Sequence, residues 1–99
     1  MSSGYGRRGR LQTPEQAFGK ALKEFREGLG LSQERLGFES GCHRTYISLL
    51  ERGKKSPSLG TIVRLASALG VLPSEILRRI ESNVTQAQGE GPSARSERP

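Results

Sequence analysis

The chain has 99 residues, 32% of them hydrophobic, and a net charge of +6 at neutral pH. That length permits one small domain with one modest core, and its single cysteine, Cys42, cannot form an internal disulfide. No apolar run approaches the roughly 20 residues that cross a bilayer, and the N-terminus lacks the apolar segment of a signal peptide, so a cytoplasmic protein with no membrane partner is expected.

Residues 1–12, MSSGYGRRGRLQ, show no hydrophobic period and read as a flexible basic arm. Arg7, Arg8 and Arg10 stand there without an acid and supply half of the surplus charge; the other half lies within residues 14–82. Surplus positive charge favours a polyanionic partner, because releasing counterions from phosphates drives association. The arm is most simply a solvated tail, and its alternative use is to reach phosphates or a minor groove.

Thr13-Pro14-Glu15-Gln16 predicts a helix start, with a threonine cap, proline at the first position and glutamine completing a capping box. Phe18, Ala21, Leu22, Phe25 and Leu29 recur at helical spacing as a core stripe, and Gly28 to Gly30 end the helix. Lys20, Lys23 and Glu27 read as its solvated face, although a lysine near the helix end could touch phosphate.

Ser32 can cap a second helix from Gln33 to about Ser40, which Gly41 ends. The short break before the next helix predicts a helix-turn-helix, whose steep crossing creates a small core for Leu36, Phe38, Cys42, Ile47 and Leu50. Cys42 reads as a small buried apolar group. The third helix should begin near His43 or Arg44 and stop at Gly53. At about 100° per residue, Ile47 and Leu50 share one side, with Tyr46 beside them. Arg44, Thr45, Ser48, Leu49 and Arg52 gather on the other. An α-helix fits the major groove of B-DNA, where arginine pairs with guanine, hydroxyls reach base edges and apolar atoms meet a thymine methyl, so this face is chemically suited to reading base pairs.

Gly53 to Pro57 forms a basic loop, and Ser58 caps a fourth helix with Leu59, Ile62, Val63, Ala66 and Leu69 as its expected buried stripe. Pro73 opens a fifth helix with Ile76, Leu77 and Ile80 on one side, more apolar than so short a terminal helix needs. These residues close the monomer core, or Leu72, Ile76 or Ile80 also forms a twofold dimer interface. Residues 83–99 combine Gly, Pro, Ser and balanced charge without an apolar period and read as a disordered tail, and the glycosylation sequon at Asn83 carries no weight.

Catalysis is not expected. The only histidine, His43, lies in no array of cysteines and carboxylates that would hold a metal, and no glycine-rich phosphate loop is present. Five short helices could hardly enclose a pocket for a Ser-His-acid set. The chain therefore reads as a non-enzyme without cofactor or metal.

The run from Leu31 to Pro57 resembles the helix-turn-helix of the lambda repressor and Cro-like family, also called the xenobiotic-response-element family, and its size is similar to that of restriction-modification controller proteins. The resemblance rests on Gln33, Leu36, Gly41, Ile47, Leu50, Glu51-Arg52-Gly53-Lys54 and Pro57-Ser58-Leu59, and with flanking helices it covers about residues 15–80. It implies an all-α, five-helix lambda-repressor-like DNA-binding domain over residues 13–82, with the helix-turn-helix at about 32–53. It also implies that Arg44, Thr45, Ser48 and Leu49 read bases. Gln33 would bind a phosphate and brace the start of the recognition helix, and Arg52, Lys54 and Lys55 would meet the DNA backbone. His43 is expected either as a plain helix-start residue or as a further phosphate contact. Arg26 and Glu51 fall where the family often places an internal ion pair. The chain departs from the family pattern at Gly37, where alanine is usual, and at His43 and Leu72, where a hydroxyl cap is common.

The function so implied is that of a sequence-specific transcriptional regulator acting by occupancy of a double-stranded DNA operator, as a homodimer on a near-palindromic site. It would block RNA polymerase or recruit it. The alternative is a protein-interaction adaptor, or an antitoxin with a toxin-type partner, built on the same fold.

Overall fold

Thr13 opens the first helix, α1 (Pro14–Gly28), with reciprocal hydrogen bonds: its hydroxyl accepts from the Gln16 amide at 3.0 Å, and its own amide donates to Gln16 Oε1 at 3.0 Å. Ser32 caps α2 (Gln33–Ser40) through the Arg35 amide at 2.9 Å. Gly41 then turns the chain through the left-handed region at φ 78°, so that the Cys42 amide returns to the Gly37 carbonyl at 2.8 Å. His43 caps α3 (Arg44–Glu51), Ser58 caps α4 (Leu59–Leu69), and α5 (Pro73–Gln88) starts with the Leu72 amide donating to Glu75 Oε1 at 3.1 Å. Glu75 thus supplies half of a capping box where Leu72 has no side-chain oxygen to offer. The computed structural model describes residues 12–88, with side chains through residue 84. The basic arm up to residue 11 and the tail from residue 89 lie outside the described residues.

Phe18 and Leu22 of α1, Leu36 of α2, Ile47 and Leu50 of α3, Leu65, Ala66 and Leu69 of α4 and Ile76 of α5 form one buried cluster. Each helix contributes to it, because none can bury its apolar face alone. Cys42 is half-buried at the edge of that cluster. The axes of α4 and α5 bend by 105° across their short break, which carries α5 back onto α1.

Several expected core positions lie outside. Phe38 is 78% exposed, with the Arg35 guanidinium 5.7 Å from its ring centre. The inner face of α2 belongs instead to Leu36, Gly37 and Ser40, whose hydroxyl folds back onto the Leu36 carbonyl at 2.8 Å. Leu29 is exposed past the end of α1. On α4 the buried stripe is Thr61, Leu65, Ala66 and Leu69, rotated from the one that an apolar count suggests, and Leu59 and Val63 face out. The rotation places a polar residue inside: the Thr61 hydroxyl is satisfied by Ser58 Oγ at 2.9 Å, so its burial leaves no unpaired group.

The fifth helix continues past Ser82, where the tail is expected to start, as far as Gln88. Its continuation has a tertiary cause in Asn83, which is buried and donates from Nδ2 to the Ala17 carbonyl at 3.3 Å. Farther along the same seam, Arg79 pairs with Glu24 at 2.7 Å and lies 4.9 Å from the centre of the Phe25 ring.

Candidate nucleic-acid interface

The third helix has only eight residues, and its two sides differ completely in burial. Ile47 and Leu50 are wholly buried, whereas Arg44 and Thr45 are exposed and Ser48 and Leu49 half-exposed. The four expected base-reading residues therefore occupy the side turned away from the core. Arg52 follows at the helix end, exposed, and its Nε donates to Ser48 Oγ at 3.3 Å. That link between a residue expected at a base and one expected at a phosphate is not visible in the spacing alone.

His43 is exposed at the head of α3, and its Nδ1 accepts from the Thr45 amide at 3.1 Å. An accepting Nδ1 leaves Nε2 as the protonated nitrogen of a neutral ring, so the side chain caps the helix with one nitrogen and keeps a donor on the other. Lys54 and Lys55 are exposed in the loop after α3, and the Lys54 amide closes that loop onto the Leu49 carbonyl at 2.9 Å.

Behind the exposed face, a polar network fixes α3 to the rest of the domain. The Arg26 guanidinium donates to Glu51 through Nε at 2.6 Å and Nη2 at 3.0 Å, and through Nη1 to the Leu31 carbonyl at 2.7 Å. The hydrogen bond to Glu51 raises the Arg26 pKa above its ordinary value, the charges of Glu51 and Glu27 act in the same direction, and burial opposes them. Gln33 Nε2 donates to the same Glu51 carboxylate at 3.0 Å. Through this bond Gln33 braces the last residue of α3, where a brace at the start of that helix is expected. Its amide nitrogen keeps a second hydrogen for an outside acceptor.

Gly37 has a tertiary reason. A Cβ there would stand 2.6 Å from the Cys42 carbonyl oxygen and 3.2 Å from the Arg44 nitrogen. The α2 backbone is packed directly onto the turn that launches α3, where alanine does not fit without movement.

Of the residues expected at a dimer interface, Leu72 is 62% exposed and Ile80 half-buried against the core, but Ile76 has no exposed surface. Ile76 is a core residue, because α5 turns that side onto the other helices. Among the exposed apolar residues that spacing did not single out for this role are Leu59, Val63 and Leu77. Among the described residues no group of His, Cys, Asp and Glu could hold a metal ion, and no single helix is long and apolar enough to cross a membrane.

Residues 22–76 match the sequence model of a family described as helix-turn-helix. The chain is 44% identical over 61 residues to the control protein C.BamHI of Bacillus amyloliquefaciens, an alignment covering 61% of this chain and 75% of that protein. The crystal structure of the restriction-modification controller protein C.AhdI from Aeromonas hydrophila superposes with a TM-score of 0.62 at 45% identity, over 63% of this chain and 94% of that one. The clp gene regulator ClgR from Corynebacterium glutamicum gives a TM-score of 0.77 at 27% identity, over 87% and 92% of the two chains.

Proposed function

This chain belongs to the helix-turn-helix family of DNA-binding transcriptional regulators, and from that premise we propose that it reads a specific operator with the exposed side of α3 and regulates transcription by occupying it. The observation that carries this reading is the contrast within α3: a face of arginine, hydroxyls and leucine is turned outward, while its opposite face is sealed into the core and its end is tied down by Arg26 and Gln33. A rigid helix with an unencumbered polar face suits entry into the major groove. In that pose Arg44, Thr45, Ser48 and Leu49 meet base edges, and Gln33, His43, Arg52, Lys54 and Lys55 meet phosphates.

The protein acts as a homodimer on a near-palindromic site, with two copies of α3 about 34 Å apart in successive major grooves. Support comes from the exposed Leu72 ahead of α5, with the exposed Leu77 and the half-buried Ile80 on that helix. Occupancy blocks RNA polymerase or, where the bound surface touches it, recruits it. The names of C.BamHI and C.AhdI as control and controller proteins favour this regulatory role. A second reading, an adaptor or antitoxin using the same fold, draws on Phe38, an aromatic ring exposed on α2.

Selection of bound sites from random duplexes, with the salt dependence recorded, tests the proposal. Recovery of a symmetric sequence with two half-sites one helical turn apart is expected. Recovery of no preferred sequence by a protein that binds a toxin-type partner would transfer the assignment to the second reading.

A further inference from the structure

An open cleft of about 480 Å³ lies between α1 and the end of α3, lined by Gln12, Gln16, Lys20, Lys23, Glu51 and Arg52. Three cations from two distant parts of the chain meet there. Their convergence depends on Gly19, where a Cβ would stand 2.4 Å from the Leu50 carbonyl oxygen and 2.6 Å from that of Glu51. The backbone of α1 therefore rides directly on the last carbonyls of α3, and Lys20 and Lys23 reach the rim beside Arg52. A second close approach, between Gly53 and Gln16, holds the following loop against the same stretch of α1.

The acid in the lining does not cancel these charges. Glu51 already accepts from Arg26 and Gln33, and its side chain is only 3% exposed. Among the described residues neither Lys20 nor Lys23 has an ion-pair partner, although ion pairs occur elsewhere on the surface between Arg35 and Glu39 and between Arg79 and Glu24. Gln16 spends its oxygen on the Thr13 amide, which leaves its amide nitrogen able to donate. The cleft thus offers donors and positive charge on an exposed wall, next to the helix that carries the base-reading face.

We propose that this cleft is a phosphate site: Lys20 and Lys23, with Arg52, hold a phosphodiester of the strand flanking the half-site that α3 reads. The inference rests on the DNA-binding reading above and extends the interface from the helix-turn-helix onto α1. Ammonium groups act on phosphate as mobile point charges, so the interaction contributes affinity and register rather than sequence preference. The competing explanation is that the lysines only offset the negative end of the α3 dipole, which cations near a helix C-terminus do.

The test measures duplex affinity against salt concentration for the full chain, a Lys20→Ala/Lys23→Ala variant, a Lys20→Arg/Lys23→Arg variant, and the control Arg64→Ala/Arg78→Ala, which removes the same charge from α4 and α5. The lysine-to-alanine pair should lower the slope of log affinity against log salt by about one per protomer, close to 0.9 for the one phosphate that each copy no longer neutralises, on operator and random DNA alike. The arginine pair should keep the slope, and the control should leave it unchanged. An equal fall in the control would assign the effect to overall charge and overturn the proposal. A lower melting temperature with an unchanged slope would assign the lysines to the helix dipole and overturn it too.

Amide resonances of Lys20 and Lys23 that move with duplex DNA and not with inorganic phosphate support a backbone contact; saturation by inorganic phosphate alone would identify a free-anion site and overturn it. A wild-type protein that binds no duplex at low salt would defeat the DNA-binding reading itself. Normal binding with an unchanged lysine slope defeats only the cleft.

Discussion

Arg26 and Glu51 join α1 to the last residue of α3 across 25 positions of sequence, through hydrogen bonds of 2.6 and 3.0 Å. Their side chains are only 10% and 3% exposed, so removing either partner leaves a buried charge without its counterion. Arg26→Ala or Glu51→Ala should each cost about 3–5 kcal/mol in urea denaturation, and Arg26→Met/Glu51→Leu should recover most of the loss. Single losses that simply add in the double variant would show that the two residues do not act as a pair. Because the pair raises the Arg26 pKa, titration of the guanidinium takes nothing from stability below the ordinary arginine value, and the loss on the alkaline side begins only above it. No alkaline loss from this group is expected up to about pH 11.

Gly37→Ala gives a test in which local and tertiary preferences oppose each other. Alanine improves helix propensity by about 1 kcal/mol. It also drives a methyl to within 2.6 Å of the Cys42 carbonyl oxygen, which is backbone and cannot swing aside. The expected net result is destabilisation of about 1–3 kcal/mol, the range for overpacking, read as a lower denaturation midpoint with an unchanged m-value. A stabilised variant would mean that the turn before α3 yields easily.

Base reading and phosphate binding should separate on mutation. Arg44→Ala should cost about 1–3 kcal/mol on the selected operator and relax preference at one base pair. Lys54→Ala should weaken all duplexes alike and reduce the salt slope by about one. Anisotropy titrations on operator and random DNA measure both, and identical effects of the two changes on both DNAs would refute this division of roles.

Leu72 and Ile76 distinguish interface from core. Leu72→Glu acts at an exposed position, so the monomer should keep its fold while sedimentation shifts from dimer to monomer at tens of micromolar, a concentration set for the experiment by typical micromolar association. Ile76→Ala empties a fully buried position and should cost about 2–5 kcal/mol of folding stability. A wild-type monomer at that concentration, both free and on DNA, would rule the dimer out.

The features legible in the sequence are those that short-range chemistry controls. Thr13, Ser32 and Ser58 cap their helices through amides three residues on, and Gly41 leaves α2 through a left-handed turn, so the order and ends of these elements follow from adjacent residues. The two sides of α3 were legible too, because wholly apolar residues mark one and polar residues most of the other. Periodicity failed on broader apolar arcs. Phe38, Leu59 and Val63 lie on helices with apolar residues on more than one side, and only the approach of a neighbouring helix decides which side is covered.

The amino-acid order alone therefore determined the helices, the turn and the chemical character of the reading face, since each depends on interactions within a few residues. Tertiary structure alone decided that Gln33 grips the end of α3, that Gly37 and Gly19 permit two close backbone approaches, that Ile76 is core, and that Lys20 and Lys23 stand beside Arg52. Most of these relations join residues distant along the chain, and the geometry of all of them exists only after the helices have packed.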